Sequence, residues 1–347
     1  MPTCRAWVLA GPDQLNVGSF LVDQSTPLLR VDAVGLCGTD VHALRGRLPV
    51  SYPLVLGHEI VGSLVDPAQR TPRHSGQRFV LAPTMACQHC EDCIAGVPTH
   101  CSARRTYGLN LGSSSTPLCL CGGFSDFVAV LPGFQLIPVP ASLPTEIAVL
   151  TEPLACCLSA LRRAAAVWPL PGAKLAVIGA GPIGLLTAVT AELLGAKVTV
   201  IERVVGRQRL AANLGLEVID PGNAIVLEEQ MDHIVDCAGT AAAVNDAVRL
   251  AHRGGVIVIF GSFSAMAAME LAPSLICNRE LSILGASTTY APDYAIALRL
   301  LSWHMDRFSP IVSHRVPLFG ADSLLPLFEM MERGECSKIC LLPESGG

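Results

Sequence analysis

The spacing of the hydrophobic positions changes near the middle of the chain. Up to about residue 150, short apolar runs such as FVLAP, FSDFVAVLP and FQLIPVP are separated by prolines and glycines. This pattern is typical of an irregular β domain with many turns. From about Leu154 onward, apolar strand-like runs alternate with helical segments such as PIGLLTAVTAELLG and AAAVNDAVRLAHRGG. The alternation predicts an α/β fold with a doubly wound parallel sheet beside the β-rich domain.

Six segments are the strand candidates of the parallel sheet: KLAVIGA, KVTVIE, EVIDP, DHIVDCAG, GVIVIFG and LSILGA. Only about ten residues separate EVIDP from DHIVDCAG, which is near the minimum for a crossover helix. Near the end, the helix YAIALRLLSWHM, the strand VSHRVPL, a further helix and KICLLP predict a return to the first domain. We therefore expect one domain over residues 1–152 and 289–347, and a second over residues 153–288.

Composition narrows the class of protein. The chain has 347 residues, 51% of them hydrophobic and 15% charged, and a net charge of −5 gives no general attraction for nucleic acid or anionic membranes. The N-terminal segment MPTCRAWVLAGPDQLNVG lacks the features of a signal peptide, and with fourteen cysteines this favours a reducing, cytoplasmic location. Residues 175–191 carry no charge, but their glycines and Pro182 divide them into a strand and a helix, which argues against a membrane span.

A glycine pattern follows the first strand candidate of the parallel sheet. Gly179, Gly181 and Gly184 form G-x-G-x-x-G at the start of a helix, and Glu202 ends the next strand candidate. Such glycines allow a tight turn and close approach of a pyrophosphate, which the helix N-terminus attracts. Glu202 would accept hydrogen bonds from the ribose hydroxyls and repel a 2′-phosphate, which predicts NAD rather than NADP. The alternative is a glycine-rich turn of another α/β protein.

Four cysteines lie close together in CQHCEDCIAGVPTHC, and they are Cys87, Cys90, Cys93 and Cys101. Four thiolates within fifteen residues can surround one zinc ion tetrahedrally, which predicts a closed structural site. Disulfides are one alternative, and an iron–sulfur cluster is another, although the fourth cysteine is misplaced for a ferredoxin and lacks the following proline. His89 and His100 are expected to be bystanders because four thiolates fill the coordination shell.

A third group combines metal-binding residue types with glycines in GLCGTDVHALRG, GHEIVG and TEPLACC. The candidate ligands are Cys37, His58 and Glu152, and Glu59 follows His58 directly. Each also has a purely structural interpretation: a buried thiol, a core histidine, and a carboxylate in the first turn of a helix. Spacing alone does not decide whether these side chains converge.

The motifs together resemble those of the zinc-dependent medium-chain dehydrogenases, from near Cys4 to the C-terminus. The matching segments are GLCGTDVH, GHEIVG, the four-cysteine lobe, GGFSDF, TEPLA, GAGPIG and RGGVIVIFG. The glutamate in EPL at the third ligand position is similar to that of the polyol and sugar branch, which includes sorbitol dehydrogenase. This resemblance implies a GroES-like catalytic domain over residues 1–152 and 289–347, and a Rossmann domain over residues 153–288.

The resemblance also implies roles for the residues of the third group. Cys37, His58 and Glu152 would hold a catalytic zinc, with Glu152 binding directly or through water. Glu59 would act as an exchanging ligand, and Asp40 would orient the ligand histidine.

Further residues are assigned to the proton path and the cofactor by the same resemblance. Thr39 would take the substrate proton and His42 would pass it to solvent. The residues expected to contact the dinucleotide are Gly179, Gly181, Pro182, Ile183, Gly184, Glu202, Arg203 and Arg207.

The implied function is hydride transfer between a secondary alcohol and NAD, giving the ketone, with two zinc ions per chain. The alcohol is expected to be a polyol, a sugar or a cyclitol-like molecule, and the enzyme a homodimer or homotetramer. One alternative is an NADPH-dependent aldehyde or ketone reductase of the same superfamily. Another is a dinucleotide-binding relative without catalysis, although such relatives usually lose their metal ligands.

Overall fold

The chain divides into two compact units. The computed structural model describes all residues except 1–2, 23–26, 66–75, 112–115, 263–267, 269–271, 290, 321 and 345–347. The first unit comprises residues 1–152, 290–305 and 312–347, and the second comprises residues 153–289 and 306–311. Among the described residues, every helix is too short or too polar to span a bilayer.

The N-terminal part of the chain is built mainly from short strands. They are β1 (Thr3–Leu9), β2 (Leu15–Leu21), β3 (Leu28–Gly35), β4 (Leu54–Val55), β5 (Glu59–Val65), β6 (Arg78–Ala82), β7 (Thr84–Met85), β8 (Arg105–Thr106), β9 (Phe127–Ala129) and β10 (Gln135–Pro138). The helices of this part are α1 (Gly38–Leu44), α2 (Glu91–Ile94) and α3 (Thr145–Ala148).

Strands and helices alternate in the middle of the chain. The helices are α4 (Thr151–Ala165), α5 (Pro182–Leu193), α6 (Val205–Asn213), α7 (Ala241–Leu250) and α8 (Pro273–Arg279). The strands are β11 (Lys174–Ile178), β12 (Lys197–Ile201), β13 (Glu217–Ile219), β14 (Met231–Asp236), β15 (Ala251–Ile259) and β16 (Ser282–Gly285). The C-terminal part adds α9 (Ala291–Trp303), α10 (Met305–Phe308), β17 (Val312–Pro317), α11 (Leu325–Arg333) and β18 (Lys338–Leu342).

The sheets confirm the predicted α/β fold class. In the second unit the strands run parallel in the order β13-β12-β11-β14-β15-β16, so all six strand candidates lie in this sheet. The first unit contains a mostly antiparallel sheet in the order β10-β6-β5-β3-β18-β17, with β9 also paired to β3. Smaller sheets join β2, β1 and β4, and β7 with β8.

One predicted helix end was wrong, and the short connection before β14 proves to be only a 3₁₀ helix. The segment AHRGG, assigned to the end of a helix, opens β15 instead, because Ala251 pairs with Met231 in the parallel sheet. The short connection before β14 forms a 3₁₀ helix over Pro221–Leu227 rather than an α-helix. The side chain of Asp220 caps this 3₁₀ helix by accepting a hydrogen bond of 2.9 Å from the N–H of Gly222.

The strand order in the first unit brings distant residues side by side. In the pairing of β3 with β5, Gly35 lies opposite Glu59, and in the pairing of β3 with β18 it lies opposite Cys340. The chain leaves β3 just before Cys37 and enters β5 just after His58. Two chain reversals that carry metal-binding residue types therefore meet at one end of the sheet.

Candidate functional site

The structure brings three of the predicted metal-binding side chains of the first unit together. One ligand atom from each of Cys37, His58 and Glu59 lies within 4.8 Å of the other two. A thiolate, an imidazole and a carboxylate are a donor set that suits zinc. His58 and Glu59 are buried and Cys37 is half-buried, so the group is accessible from the cysteine side.

Asp40 connects the two segments that carry this group. Its carboxylate accepts hydrogen bonds from the N–H of Cys37 at 3.0 Å and from the N–H of Gly57 at 3.3 Å. Its Oδ1 also lies 3.4 Å from Nδ1 of His58. Burial lowers the pKa of His58, but the charges of Asp40 and Cys37 outweigh burial and raise this pKa well above its ordinary value. A metal bound by His58 would displace a proton from this ring, because only a neutral imidazole can act as a ligand.

Glu59 has a buried partner that sequence reasoning missed. Nζ of Lys338 lies 2.6 Å and 2.8 Å from the two carboxylate oxygens of Glu59, and it also donates to the carbonyl of Leu36 at 3.0 Å. A Cβ atom at Gly35 would lie 1.8 Å from Oε2 of Glu59, so only glycine leaves room for this carboxylate. Burial raises the pKa of Glu59 and the charge of Lys338 opposes that rise.

Glu152 lies near this group but outside the set of three. It is half-buried in the first turn of α4, and its charge acts on both Glu59 and Lys338. Its carboxylate is not among the ligand atoms that lie within 4.8 Å of one another. Its assignment as a zinc ligand stays a prediction.

The predicted proton path lies on α1 and the residues around it. Oγ1 of Thr39 lies 3.6 Å from Sγ of Cys37. Among the described residues, the buried Nδ1 of His42 has no hydrogen-bond partner. Burial and the nearby charge of Arg47 lower the pKa of His42, so its ring is neutral at physiological pH and able to accept a proton.

The four cysteines of the predicted lobe also converge. One sulfur from each of Cys87, Cys90, Cys93 and Cys101 lies within 4.8 Å of the others. The N–H of Cys90 donates to the sulfur of Cys87 at 3.4 Å, and the N–H of Cys87 donates to that of Cys101 at 3.3 Å. Backbone N–H groups of His89 and Cys90 lower the pKa of Cys87 to about 6, which favours the thiolate that a metal requires.

The second unit carries the glycine motif between β11 and α5. Gly179 has φ of 101°, Gly181 is the N-cap of α5, and Pro182 is its first residue. A Cβ atom at Gly184 would lie 1.8 Å from the carbonyl oxygen of Gly179, so the turn and the helix pack at a distance that only glycine allows. Ile183, the next residue of α5, is half-buried.

Glu202 follows β12, and its carboxylate accepts three backbone hydrogen bonds. Oε2 accepts from the N–H of Ala180 at 2.7 Å, and Oε1 accepts from the N–H groups of Arg203 and Val204, both at 2.8 Å. The side chain is 5% exposed. Glu202, directly after β12, thus holds the glycine turn in place, a role that sequence reasoning did not anticipate.

The surroundings of Glu202 contain cations and a cavity. Arg203 is exposed and Arg207 is half-buried. A cavity of about 370 Å³ opens beside the end of β13 and is lined by Val218, Ile219, Asp220, Asn223, Ile225 and Val226. This cavity lies at the carboxyl end of the edge strand β13.

Two family models match the chain. The model described as "Alcohol dehydrogenase GroES-like domain" matches residues 23–141, and the model described as "Zinc-binding dehydrogenase" matches residues 182–303. The first match contains Cys37, His58 and the four-cysteine lobe. The second begins at Pro182, so it contains Gly184 and Glu202 but not Gly179 or Gly181.

Relatives named as sugar-acid and polyol dehydrogenases match over most of the chain. L-galactonate-5-dehydrogenase of Escherichia coli is 32% identical over 302 residues, which is 84% of each chain. D-altritol 5-dehydrogenase of Agrobacterium fabrum is 31% identical over 310 residues, or 87% of each chain. A crystal structure of a Sinorhizobium meliloti protein bound to NADP superposes with a TM-score of 0.85 at 27% identity, covering 99% of this chain and 100% of that one.

Proposed function

The chain belongs to the zinc-binding alcohol dehydrogenase family, and on that premise we propose that it oxidises a secondary hydroxyl of a polyol or sugar-type substrate to a ketone with NAD. The convergence of Cys37, His58 and Glu59 in the first unit carries this proposal. The glycine motif of the second unit supports dinucleotide binding. The relatives that act on L-galactonate and D-altritol support a polyhydroxylated substrate.

The residues of the first unit have distinct tasks in this reaction. Cys37 and His58 would hold a catalytic zinc together with Glu152 or Glu59. A zinc ion held there lowers the pKa of a hydroxyl, and a bound nicotinamide supplies the acceptor for a hydride. Thr39, beside Cys37, would take the proton of the substrate hydroxyl while its own hydroxyl proton moves onward along the relay. His42, whose depressed pKa keeps the ring neutral, would accept the relayed proton and pass it to solvent.

We propose a second, structural zinc in the lobe of Cys87, Cys90, Cys93 and Cys101. Four thiolates complete a tetrahedral shell and leave no position for substrate. The two sites therefore differ in function: the lobe stabilises the fold of its loop, whereas the site at Cys37 keeps a position open for chemistry.

The preference for NAD rests on Glu202. A carboxylate has about four lone-pair sites, so three backbone donors leave one for a ribose hydroxyl. A 2′-phosphate would meet the negative charge of Glu202 in a partly desolvated site. The second candidate is an NADP-dependent reductase, favoured by Arg203 and Arg207 beside the strand end and by the NADP in the Sinorhizobium meliloti structure.

The remaining proposals concern organisation. We assign residues 1–152 and 289–347 to catalysis and residues 153–288 to dinucleotide binding. The strand β16 ends the parallel sheet and pairs with β15 alone among the described strands, so it offers an edge through which two copies could form a dimer, or a tetramer. The cysteine-rich metal lobe favours a reducing, cytoplasmic location.

A substrate panel with both cofactors tests the function. Purified protein is incubated with polyols, sugar acids and simple secondary alcohols, and with NAD or NADP, while formation of reduced nicotinamide is followed. Cys37→Ser should abolish turnover and lower the zinc content by one ion per chain. Cys277→Ser, which changes an exposed thiol in α8, is the matched control and should leave both unchanged. Full activity in Cys37→Ser would overturn the proposal.

A further inference from the structure

One buried carboxylate at the carboxyl edge of the parallel sheet has no place in the mechanism above. Asp236 is the last residue of β14 and is fully buried. Its Oδ1 accepts hydrogen bonds from the N–H of Ala238 at 3.0 Å and from that of Gly239 at 3.2 Å. Among the described residues, Oδ2 has no partner with full hydrogen-bond geometry, although the N–H of Gly261 is close enough to lower the pKa of Asp236 against the rise that burial causes. Burying a carboxylate costs free energy even when it accepts such bonds, so a role besides stability is expected.

Asp236 also fixes the loop that follows the neighbouring strand β15. Its carbonyl oxygen accepts from the N–H of Phe260 at 3.0 Å and from that of Gly261 at 2.7 Å. A Cβ atom at Gly261 would lie 2.2 Å from the nitrogen of Gly239, and one at Gly239 would lie 2.4 Å from the carbonyl oxygen of Ser262. The loops after β14 and β15 are therefore packed backbone against backbone, with the side chain of Asp236 bonded to the first loop and its backbone carbonyl to the second.

The loop after β14 in turn touches the glycine motif. The N–H of Cys237 donates to the carbonyl of Ile178 at 2.9 Å. A Cβ atom at Gly179 would lie 3.1 Å from the nitrogen of Ala238. A displacement of the loop held by Asp236 would therefore displace the turn that approaches the pyrophosphate.

We propose that the side chain of Asp236 is a positioning group for the dinucleotide, which holds the loop 237–240 in the arrangement on which the loop 260–262 and the glycine turn pack. This inference rests on the proposed dinucleotide binding. Asp236 does not need to contact the cofactor, because it acts by keeping three loops in their binding-competent arrangement before the cofactor arrives. If only a fraction of the molecules hold that arrangement, the apparent dissociation constant rises by the inverse of that fraction.

The test compares two variants of Asp236 with a control at the opposite end of the same strand. Asp236→Ala removes the acceptor for both N–H groups and should weaken NAD binding roughly ten- to a hundredfold, with turnover at saturating NAD within about threefold of wild type. Asp236→Asn keeps an oxygen in the Oδ1 position and should restore wild-type affinity. The control Asp232→Ala also removes a carboxylate that accepts a backbone hydrogen bond, from the N–H of Lys174 at 2.7 Å. Because that bond lies at the other end of β14, NAD affinity should not change.

NAD binding is measured by titration calorimetry without alcohol, and the melting temperature is recorded for every variant. If wild-type protein binds neither NAD nor NADP, the proposed function itself fails. If wild type binds NAD and Asp236→Ala binds it equally well, or if Asp232→Ala loses as much affinity, the positioning role is refuted.

If Asp236→Ala does not fold, amide hydrogen exchange on the wild-type protein tests the positioning role instead. Added NAD should slow exchange at Gly239 and Gly261 as well as in the glycine turn, and slowing confined to that turn would refute the role.

Discussion

Replacing Lys338 by methionine tests whether the buried ion pair with Glu59 governs the stability of the first unit. Lys338 and Glu59 are 2% and 0% exposed, so neither charge is screened by solvent. Methionine keeps most of the apolar length of lysine, so the packing change is small. The substitution removes the ammonium that lies 2.6 Å and 2.8 Å from the two oxygens of Glu59 and leaves this carboxylate without its cation.

The expected loss in free energy of unfolding is set by the least costly response of the variant, which is protonation of Glu59. In zinc-free protein the buried carboxylate that has lost its lysine takes up a proton, and holding a carboxyl of ordinary pKa 4.5 protonated at pH 7 costs up to about 3.4 kcal/mol, an upper figure because the charge of His58 also favours the ionised form. This lies within the range of about 3–5 kcal/mol for breaking a buried pair. For a unit of this size the melting temperature should fall by roughly 7–14 °C.

The pH dependence identifies the cause. In Lys338→Met the folded state binds a proton on Glu59 that the unfolded state releases above its pKa, so the deficit relative to wild type shrinks as the pH falls, to about 0.7 kcal/mol at pH 5. Glu59→Gln leaves the lysine alone instead, and its deficit should shrink as the pH rises. The opposite slopes of the two variants are the signature of the pair.

Calorimetric melting of wild type and variants between pH 5 and pH 9 measures these slopes, and the zinc content is determined on the same samples. Lys197→Met is the matched control because Lys197 is an exposed lysine that also begins a strand. It should leave the melting temperature within about 1 °C of wild type. A Lys338→Met protein that melts with wild type at pH 7, or whose deficit does not vary with pH, would refute the reasoning.

Four further outcomes are expected. Chelators should first remove one zinc, and activity with it, while the zinc of the four-cysteine lobe stays bound. Elemental analysis and activity assays measure this, and one tightly held zinc with full activity would disprove it. Glu152→Ala should nearly abolish turnover and leave the melting temperature within a few degrees of wild type; a loss of only about 1 kcal/mol in stability with near-normal turnover would reduce Glu152 to a helix-terminal acid. Wild-type turnover should fall as the pH drops below the lowered pKa of His42, and His42→Ala should lose that inflection, so an unchanged pH–rate profile would exclude His42 from the relay. Wild type should prefer NAD by roughly a hundredfold or more, and Glu202→Ala should raise kcat/KM with NADP and lower it with NAD; wild type that prefers NADP would contradict this.

Local patterns in the sequence determined the parts of the protein that depend on near neighbours. The alternation of strands and helices predicted the parallel sheet, because side-chain periodicity is set within a few residues. The cysteines of the lobe are close enough in sequence for their own loop to gather them. The family was correctly identified from such motifs, and the comparisons confirm it.

Tertiary structure decided what depends on strand pairing. Glu59 and Lys338 are 279 residues apart, and they meet because β18 pairs with β3 on the side opposite β5. A lysine at the start of an apolar strand is the signal that could have drawn attention to Lys338. The start of β15 likewise depended on the pairing of Ala251 with Met231, which overrode a helical pattern.

The hydrogen bonds of polar side chains at strand ends could not be predicted from the sequence either. Glu202 was predicted from its position, yet its three bonds to backbone N–H groups depend on how closely the glycine turn approaches β12. Asp236 gave no signal, because nothing in the residues around it shows that the loop after β15 returns to its carbonyl oxygen. Residue types and spacing specify which chemistry is available. The register of the sheets decides which atoms meet, because the pairing of a strand depends on neighbours that are distant in sequence.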